Sequence, residues 1–293
     1  MRYLKIGTWR QRPWLWAAAA GTVLFGVWLY DQNNTIEVTE YAVGSSRVPA
    51  GFEAFRIVQL SDLHNASFGP DNRRLLEKVA AARPDLIVLT GDMSSWNSRD
   101  TALLENLYRE LAGMAPTYCI LGNHEVKYGE LEELQQLAAR TGTHLLRNEL
   151  VEIERHGDRM VLLGLDDVLE MKPEMTAALE RLAQTPPEQM RVVLTHRPHT
   201  VYDDEEGRTF KLVDYGFDLA LAGHMHGGQW RIPYWRGFLV PRYGFFPKYT
   251  GGVHAFDDGW LVISRGLGNG LVPQRLFNRP EVVVVTLHHE AEK

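Results

Sequence analysis

The stretch RIVQLSDLH at residues 56–64 runs from an apolar, strand-like segment directly into two side chains that can bind metal. Four further polar clusters lie on or just after apolar runs in the same way. They are Gly91-Asp92, Gly122-Asn123-His124-Glu125, His196 and Gly223-His224-Met225-His226. Residues two apart on a strand face one side, which brings Asp62 together with His64 and His224 together with His226. The five clusters predict one site at the ends of several strands.

The donor groups in these clusters indicate which ions the site takes. Carboxylate, amide and imidazole groups suit Mn, Fe, Zn or Ni, whereas a soft site would need thiolates, and the chain has one cysteine, Cys119. Seven donors are too many for one tetrahedral ion and about right for two ions that share a carboxylate. These donors are Asp62, His64, Asp92, Asn123, His196, His224 and His226. We expect two divalent transition-metal ions, Mn, Zn or Fe, with Asp92 as the bridge.

Each cluster taken alone has a simpler interpretation. An Asp or Asn after an apolar run usually caps a turn, because its side chain accepts bonds from the next backbone amides. A lone His196 would more often be a hydrogen-bonded core or surface histidine. Five clusters in this order favour the metal site. The histidines outside the motifs are expected to be structural or solvated: His144, His156, His254, His288 and His289.

The ordered pattern D-x-H, G-D, G-N-H-[DE], H and G-H-x-H resembles that of the calcineurin-like metallophosphoesterase superfamily, from about Phe55 to the C-terminus. The resemblance implies one ion held by Asp62, His64, Asp92 and His226, and a second held by Asp92, Asn123, His196 and His224. It also implies that His124 is unmetallated and faces the substrate. Residues 223–229, 264–268 and 279–281 are similar to a bacterial, membrane-anchored branch that includes UDP-2,3-diacylglucosamine hydrolases and general phosphodiesterases.

Such a site favours an anionic substrate. Two divalent ions, two aspartates and a bridging hydroxide leave a charge of roughly +1, and the hydroxide is expected to attack phosphorus in line. A protonated His124 would stabilise the transition-state charge or donate a proton to the leaving oxygen. Its alternative role is structural, orienting Asn123 or Asp92. The expected activity is hydrolysis of phosphodiester or pyrophosphate bonds in lipid-linked or nucleotide-sugar substrates.

An uncharged run from residue 13 to residue 30 follows a tail with four basic residues. Eighteen helical residues at ~1.5 Å each nearly cover the ~30 Å hydrocarbon core. We therefore predict a basic cytoplasmic tail at 1–12, a transmembrane anchor at 13–30 and a metallophosphoesterase domain at 31–293. The flanking charges predict that the domain lies outside the cytoplasm. The expected membrane is the inner or cytoplasmic membrane of a bacterium. The alternative is a cleaved signal peptide, but the run exceeds the usual ~7 to 15 residues and 29–31 offers no small-residue cleavage site.

Composition and charge limit the partners. Hydrophobic residues at 45% and charged residues at 23% are globular values. A net charge of −6 argues against a nucleic acid duplex, which needs a basic stripe. We expect a membrane lipid and a phosphate-containing substrate as partners, and no obligate protein partner. A nucleotide-linked lipid A precursor would be processed on the cytoplasmic face, whereas the flanking charges put the domain outside. The sequence therefore leaves both the side of the membrane and the substrate open. One cysteine gives no disulfide framework, so the redox compartment also stays open.

Strand-like runs alternate with helices and then follow one another, which predicts an α/β sandwich. The resemblance sharpens this to two stacked mixed β-sheets flanked by helices, plus the N-terminal transmembrane helix. The strand-like runs are 35–43, 56–60, 86–90, 118–121, 150–153, 161–165, 192–195, 219–222, 260–263 and 282–287. Helical periodicity is clearest at 72–82, 101–111, 131–139 and 173–182, with Asp71 as the expected N-cap of the first.

Residues 227–252 have no clear period but carry eight aromatic residues interleaved with four cations. Since this loop follows two metal ligands, we expect a lid in which side chains such as Trp235 and Phe238 meet an acyl chain, a base or the lipid headgroup zone. The alternative is that the aromatic residues pack on the second sheet and the cations are solvated. Weaker candidates for substrate contacts are Asn65, Arg197 and His199, although Arg197 suits a surface cation and His199 a turn cap.

Two other functions remain open from the sequence. One is a two-metal hydrolase of another bond type, such as an amidase or peptidase, against which the excess cationic charge and the Gly-Asn-His cluster argue. The other is a non-catalytic, metal-binding scaffold on a degenerate fold. The complete set of motif residues argues against degeneracy.

Overall fold

The computed structural model describes residues 13–94, 101–129, 131–167, 172–202, 211–233, 235–241, 243–256, 259–270 and 272–290. The predicted tail at 1–12, and Tyr234 and Arg242 of the predicted lid, lie outside the described residues. The helices are α1 (Pro13–Asn34), α2 (Arg73–Ala82), α3 (Thr101–Met114), α4 (Asn123–Tyr128), α5 (Leu131–Thr141), α6 (Pro173–Ala183) and α7 (His199–Tyr202). The strands are β1 (Glu37–Ser45), β2 (Arg56–Leu60), β3 (Leu86–Leu89), β4 (Thr117–Cys119), β5 (His144–Leu145), β6 (Glu149–Arg155), β7 (Asp158–Gly164), β8 (Arg191–Leu194), β9 (Leu219–Ala222), β10 (Leu239–Val240), β11 (Gly244–Phe245), β12 (Gly252–Phe256), β13 (Gly259–Ile263) and β14 (Glu281–His289).

Two six-stranded mixed sheets form the centre of the domain, which confirms the predicted sandwich. The first has the order β1-β14-β2-β3-β4-β5 and the second the order β12-β13-β9-β8-β7-β6. Strands β2, β3 and β4 are parallel neighbours, and so are β7, β8 and β9. Because parallel neighbours end at the same edge, each sheet presents a row of carboxyl ends where loops can carry functional groups.

Apolar side chains of both sheets fill the space between them. Ile57, Val88, Leu162, Val192 and Val285 are all fully buried in this layer. Strands β3 and β8 are almost continuously apolar because helices cover their outer faces, α2, α3 and α5 on one sheet and α6 on the other. Burial of one such side chain contributes roughly 1.5–3 kcal/mol, so the sheets give the site a rigid support.

The four predicted helical segments are present as α2, α3, α5 and α6, each beginning within one residue of the prediction. The predicted cap was wrong. The residue before α2 is Asn72 in a left-handed conformation, and it makes no side-chain cap bond. Its Oδ1 accepts the backbone N–H of Phe68 at 2.9 Å instead. Asp71 lies within the preceding turn at φ 51°, because the chain reverses there before the helix starts.

Helix α1 extends the predicted uncharged run to Asn34. Its 22 residues correspond to roughly 33 Å, and none of its most apolar window is buried against the domain. Among the described residues it is the one helix long and apolar enough to cross a membrane. Two residues separate it from β1, so the helix enters the domain without a long linker.

Candidate metal centre

Five strands deliver polar side chains to one edge of the sandwich. Asp62 follows β2 by two residues, and Asp92 follows β3 by three. Asn123 opens α4 shortly after β4. His196 and His224 each follow their strands, β8 and β9, by two residues. The carboxyl ends of the two sheets therefore bring their polar groups together at one site, as the sequence predicts.

The first group of donors is Asp62, His64 and His226, whose nearest ligand atoms all lie within 4.8 Å of one another. The Nε2 atoms of the two imidazoles are 3.1 Å apart. Nε2 of His226 is also 3.5 Å from Oδ1 of Asp62. Two ring nitrogens that converge on a carboxylate oxygen are placed to bind one cation between them.

The second group contains Asp92, His196 and His224, again within 4.8 Å. Nε2 of His196 lies 3.3 Å from Oδ2 of Asp92, 3.2 Å from Oδ1 of Asn123 and 3.2 Å from Nδ1 of His224. Its Nδ1 is 2.8 Å from the carbonyl of Thr90, to which it donates. Such a bond fixes the tautomer that leaves Nε2 available as a ligand.

Asp92 borders both groups, which is the geometry expected of a bridge. Its Oδ2 is 3.3 Å from Nε2 of His196 and 3.8 Å from Nε2 of His64. The structure thus brings all seven predicted donors together. Their assignment to two ions, with Asp92 shared, stays a prediction.

Several donors have a backbone conformation that non-glycine residues seldom adopt. The φ angles are 51° for Asp62, 48° for His64, 53° for Asp92, 70° for His224 and 46° for His226. Each such angle costs on the order of 1 kcal/mol or more, and clusters of them are typical of functional sites. This backbone turns the side chains at the strand ends toward one another.

Two glycines of the motifs allow the loops to approach closely. A Cβ on Gly122 would overlap the carboxylate of Asp92. A Cβ on Gly223 would overlap Oγ of Ser61 and Oδ2 of Asp62. Any larger residue would therefore displace the aspartates, which explains why glycine precedes Asn123 and His224 in this chain.

Glu125 has a role that the sequence motif did not reveal. Its buried carboxylate accepts the backbone N–H groups of Asp92 (2.9 Å), Gly122 (2.8 Å) and Ser94 (3.1 Å). Burial, with the charge of Asp92, raises the pKa of Glu125 to about 7. The available signal was its place in the G-N-H-E motif, three residues after Gly122, the glycine that precedes α4. Glu125 holds two metal-centre loops together.

His196 differs in protonation from the other histidine donors, and burial lowers the pKa of His224 as well. Burial lowers the pKa of His64 to about 4 and that of His226 to about 3, so both rings are neutral at neutral pH. Burial also disfavours a charge on His196, but the charges of Asp92 and Asp62 and the hydrogen bond with Asp92 raise its pKa to about 10. Since only the neutral ring binds metal, His196 must lose a proton to act as a ligand.

The donor set fits divalent metal ions. Carboxylate, amide and imidazole groups converge with nitrogen–nitrogen distances of 3.1 and 3.2 Å. These groups match the ligand preferences of Mn, Fe and Zn. In this arrangement Asp62, His64 and His226 would hold one ion, Asn123, His196 and His224 the other, and Asp92 both.

His124 lies beside the donors and is 28% exposed at its side chain. Its Nε2 is 4.0 Å from Oδ2 of Asp92, and its ring meets that of His64 at 4.6 Å between centroids. Its backbone N–H donates to Oδ1 of Asp92 at 2.8 Å. His64, Asp92 and His124 also form a third triplet able to hold a metal, so the predicted unmetallated role stays a prediction.

The weaker substrate candidates have partners that the sequence did not reveal. Arg197 is buried, and its Nε donates to both carboxylate oxygens of Asp167, at 2.9 and 3.2 Å, so it is not a surface cation. His199 is buried at the start of α7 and stacks on Tyr243, with centroids 4.1 Å apart. Asn65 is half-buried after His64 and donates its backbone N–H to the carbonyl of Met93.

The loop that follows His226 divides into two parts. Tyr243 packs on His199, and Tyr249 packs on Tyr202 at 4.3 Å. Both tyrosines also pack against the buried apolar cluster of the second sheet, as the packing alternative predicts. Trp235, by contrast, is 54% exposed, and Phe238 is half-buried beside the β10–β11 hairpin. The lid interpretation therefore concerns the segment around Trp235 and Phe238, and it stays a prediction.

Comparisons with known proteins agree with this geometry. A family model described as calcineurin-like phosphoesterase matches residues 55–228. The metallophosphoesterase YkuE of Bacillus subtilis is 30% identical over 92% of this chain and 93% of its own length. The phosphodiesterase YaeI of Escherichia coli is 32% identical over 80% of this chain and 82% of its own. The UDP-2,3-diacylglucosamine pyrophosphatase LpxG of Chlamydia muridarum is 23% identical over 94% of this chain and 97% of its own.

Proposed function

The chain belongs to the calcineurin-like phosphoesterase family, and we propose that it is a membrane-anchored, two-metal hydrolase of phosphodiester or pyrophosphate bonds. Membership makes it a metal-dependent phosphoric ester hydrolase. The observation that carries the proposal is the position of Asp92, whose Oδ2 lies 3.3 Å from His196 and 3.8 Å from His64. One carboxylate between two groups of ligands suits a pair of ions rather than a single one.

When bound, two divalent ions lower the pKa of water and neutralise phosphoryl oxygens. The chain itself supplies the orientation. Asp62 is held by the hydroxyl of Ser61 at 2.6 Å and by the backbone N–H of His224 at 2.9 Å. The backbone N–H of Asp92 donates to the carboxylate of Glu125, and the carboxylate of Asp92 accepts the backbone N–H of His124. Ligands fixed before substrate binds need little reorganisation as charge develops on the phosphoryl group.

His124 is the side chain we assign to the leaving group. It is partly open to solvent while its Nε2 stays 4.0 Å from Asp92. A protonated imidazole at that place donates to the leaving oxygen and limits the charge that builds up there. The alternative, in which His124 only orients Asn123 and Asp92, predicts a loss of metal when the ring is removed.

The relatives support the proposed bond type, and α1 supports the proposed substrate class. YaeI is named a phosphodiesterase and LpxG a pyrophosphatase of a diacylated nucleotide sugar, so a phosphodiester or a pyrophosphate is the bond we propose. The apolar helix at the N-terminus supports a location at a membrane, where lipid-linked substrates are concentrated. A membrane lipid is therefore the proposed partner.

We assign α1 to a single crossing of a bacterial inner or cytoplasmic membrane, with the domain outside the cytoplasm. Basic residues precede the uncharged run at 13–30, and Asp31 and Glu37 follow it. Protease treatment of intact spheroplasts tests the side. Digestion of the domain supports this topology, whereas a shielded domain that remains in the membrane contradicts it.

Turnover assays on the full chain in detergent test the activity. The protein is loaded with Mn or Zn and offered a bis-aryl phosphodiester, an aryl phosphomonoester and an aryl amide. We expect the diester to be hydrolysed fastest and the amide not at all. Hydrolysis of the amide alone, or inactivity with every metal, would contradict the proposal.

A further inference from the structure

Among the exposed large apolar side chains in the described part of the domain, five lie in residues 230–245 or at position 277. They are Trp230 (39% exposed), Ile232 (39%), Trp235 (54%), Phe245 (66%) and Phe277 (54%). We call these five residues the apolar surface. Single exposed apolar residues are common, but a contiguous set marks contact with another molecule or with a membrane.

Contacts through Leu276, Phe238 and Phe246 connect members of the apolar surface. Trp230 forms a parallel bridge with Leu276, the neighbour of Phe277. The ring of Trp230 lies 6.3 Å from that of Phe238, which lies 5.3 Å from that of Phe245. Residues far apart in sequence thus form one patch.

Trp235 extends the patch and carries a cation. Its ring lies 5.2 Å from that of Phe246, which in turn lies 5.2 Å from that of Phe238. The guanidinium of Arg236 sits 4.8 Å from the centre of the Trp235 ring. An aromatic ring with a neighbouring cation suits the zone where lipid tails meet phosphate headgroups.

The apolar surface is also continuous with α1. The ring of Trp28, near the end of the uncharged run, lies 5.1 Å from that of Phe277. The side-chain amide of Gln274 donates to the carbonyl of Leu29 at 3.0 Å. The carbonyl of Gln274 accepts the indole N–H of Trp230 at 2.9 Å. One residue therefore joins the helix to the patch.

Polar contacts fix the angle between α1 and the domain. Arg279 donates to Asp31 at 2.6 Å. The backbone N–H of Arg275 donates to Oδ1 of Asn33 at 2.8 Å. Because β1 begins at Glu37, the domain is held by bonded contacts and not by a flexible tether. The side of the domain that carries Phe277 therefore keeps a constant position relative to the helix.

The same segment touches the metal centre. The side-chain amide of Asn278 donates to the carbonyl of His226 at 2.8 Å and to that of Gln229 at 3.1 Å. Gln229 donates in turn to the carbonyl of Val272 at 2.6 Å. Residues 272–279 thus contact α1 on one side and the loop of a predicted metal ligand on the other.

We infer that the apolar surface lies in the headgroup zone of the bilayer that α1 crosses, so that the metal centre is held beside the membrane. The inference rests on the anchoring proposed above. Trp28 lies two residues before the end of the uncharged run at residue 30, so Phe277 is at the depth where hydrocarbon gives way to headgroups. The substrate class that follows is a phosphate ester in the headgroup of a membrane lipid, which can reach the centre without leaving the membrane surface.

Spin-label accessibility in the full chain tests this placement. Phe245→Cys and a control, Glu53→Cys, are labelled with a nitroxide; the native Cys119 is buried. Glu53 is exposed and accepts the backbone N–H of the last residue of β14. This strand has nine residues, so its last residue lies about 27 Å from its first residue. The proteins are reconstituted in vesicles of phosphatidylethanolamine and phosphatidylglycerol. Collisions with oxygen, which concentrates in lipid, are compared with collisions with a water-soluble nickel chelate.

We expect the oxygen-to-nickel collision ratio to be severalfold higher at position 245 than at position 53, and a label at Phe277→Cys to agree with 245. Equal ratios at 245 and 53, in protein that carbonate washing leaves in the vesicles, overturn the inference while the anchoring stands. Release of the chain by carbonate washing overturns the anchoring and the inference together.

Discussion

The metal centre and the apolar surface are joined by one segment, residues 272–279, and they are built in opposite ways. In the centre, charged side chains such as Asp92 are buried and the backbone is strained. On the surface, large apolar side chains such as Phe245 are exposed. Each departs from ordinary burial, and such departures are typical of functional regions. The comparison separates the two tasks proposed above, bond cleavage in the centre and placement at the membrane on the surface.

The largest expected effect comes from Asp92→Asn, which removes a charge from both groups of ligands. We expect turnover of every substrate, soluble or lipid-linked, to fall by well over about 100-fold, more than the loss of an outer partner of a metal site costs. Steady-state assays measure it. Asp214→Asn, at an exposed aspartate, is the matched control. Near-normal turnover in Asp92→Asn would contradict the bridging role of Asp92.

His124→Ala tests the side chain assigned to the leaving group. A general acid typically contributes 10²–10⁴-fold, so we expect a loss of roughly 100-fold in turnover with both metals retained. The loss should shrink for an aryl ester with a very acidic leaving group, because that oxygen needs no proton. Loss of metal in His124→Ala, measured by elemental analysis, would instead make the ring a positioning group or a ligand.

Glu125→Gln tests the carboxylate that fixes the Asp92 loop. Partners of this kind contribute about 10–100-fold, so we expect weaker metal binding and about tenfold less turnover at limiting metal. Excess metal should restore most of the activity, which a folding defect would not allow. Glu133→Gln, at an exposed position of α5, is the control. A loss that excess metal leaves unchanged would contradict this role.

The raised pKa of His196 makes metal uptake depend on pH. Below about 10 the ring carries a proton that must leave, whereas His64 and His226 are neutral above about 4. Between pH 6 and 8 we expect affinity for the second ion to rise by about tenfold per unit, equivalent to one released proton. Titration calorimetry in buffers of different ionisation enthalpy measures it. His196→Asn should lose this dependence; a flat profile in the parent protein would contradict it.

The smallest expected effect concerns the apolar side of the comparison. Replacing Trp235 and Phe238 by Ser should lower turnover of a lipid-linked ester severalfold and that of a soluble aryl ester less, since each aromatic ring contributes on the order of 1 kcal/mol at a membrane interface or acyl contact. Val253→Ser, at an exposed residue of β12, is the control. Equal losses of turnover on both esters would mean that the two side chains stabilise the fold and do not contact the substrate.

The sequence predicted the central strands well because both of their faces are buried. Strands β2 and β9 have the predicted bounds, 56–60 and 219–222, since largely apolar runs end there just before polar motif residues. The two-residue strands β5, β10 and β11 were missed, as was β12, because their pairing depends on partners elsewhere in the chain. Such short elements carry no periodic signal of their own.

The residues of the metal centre likewise divide into those that local sequence motifs predict and those whose roles depend on distant partners. All seven predicted donors meet because they follow buried strands in motifs with fixed spacing. Glu125, by contrast, acts on the amide of Asp92, which lies 33 residues away in sequence. The bond from Arg275 to Asn33 spans 242 residues, so the link between α1 and the metal centre leaves no trace in local pattern. Arg197 likewise gave no sign of its bond with Asp167.

Anomalous diffraction from crystals of the full chain loaded with Mn tests the central claim most directly. The account predicts two peaks, one among Asp62, His64 and His226 and one among Asn123, His196 and His224, with the carboxylate of Asp92 between them. A single peak, or none within this ring of donors, would contradict it.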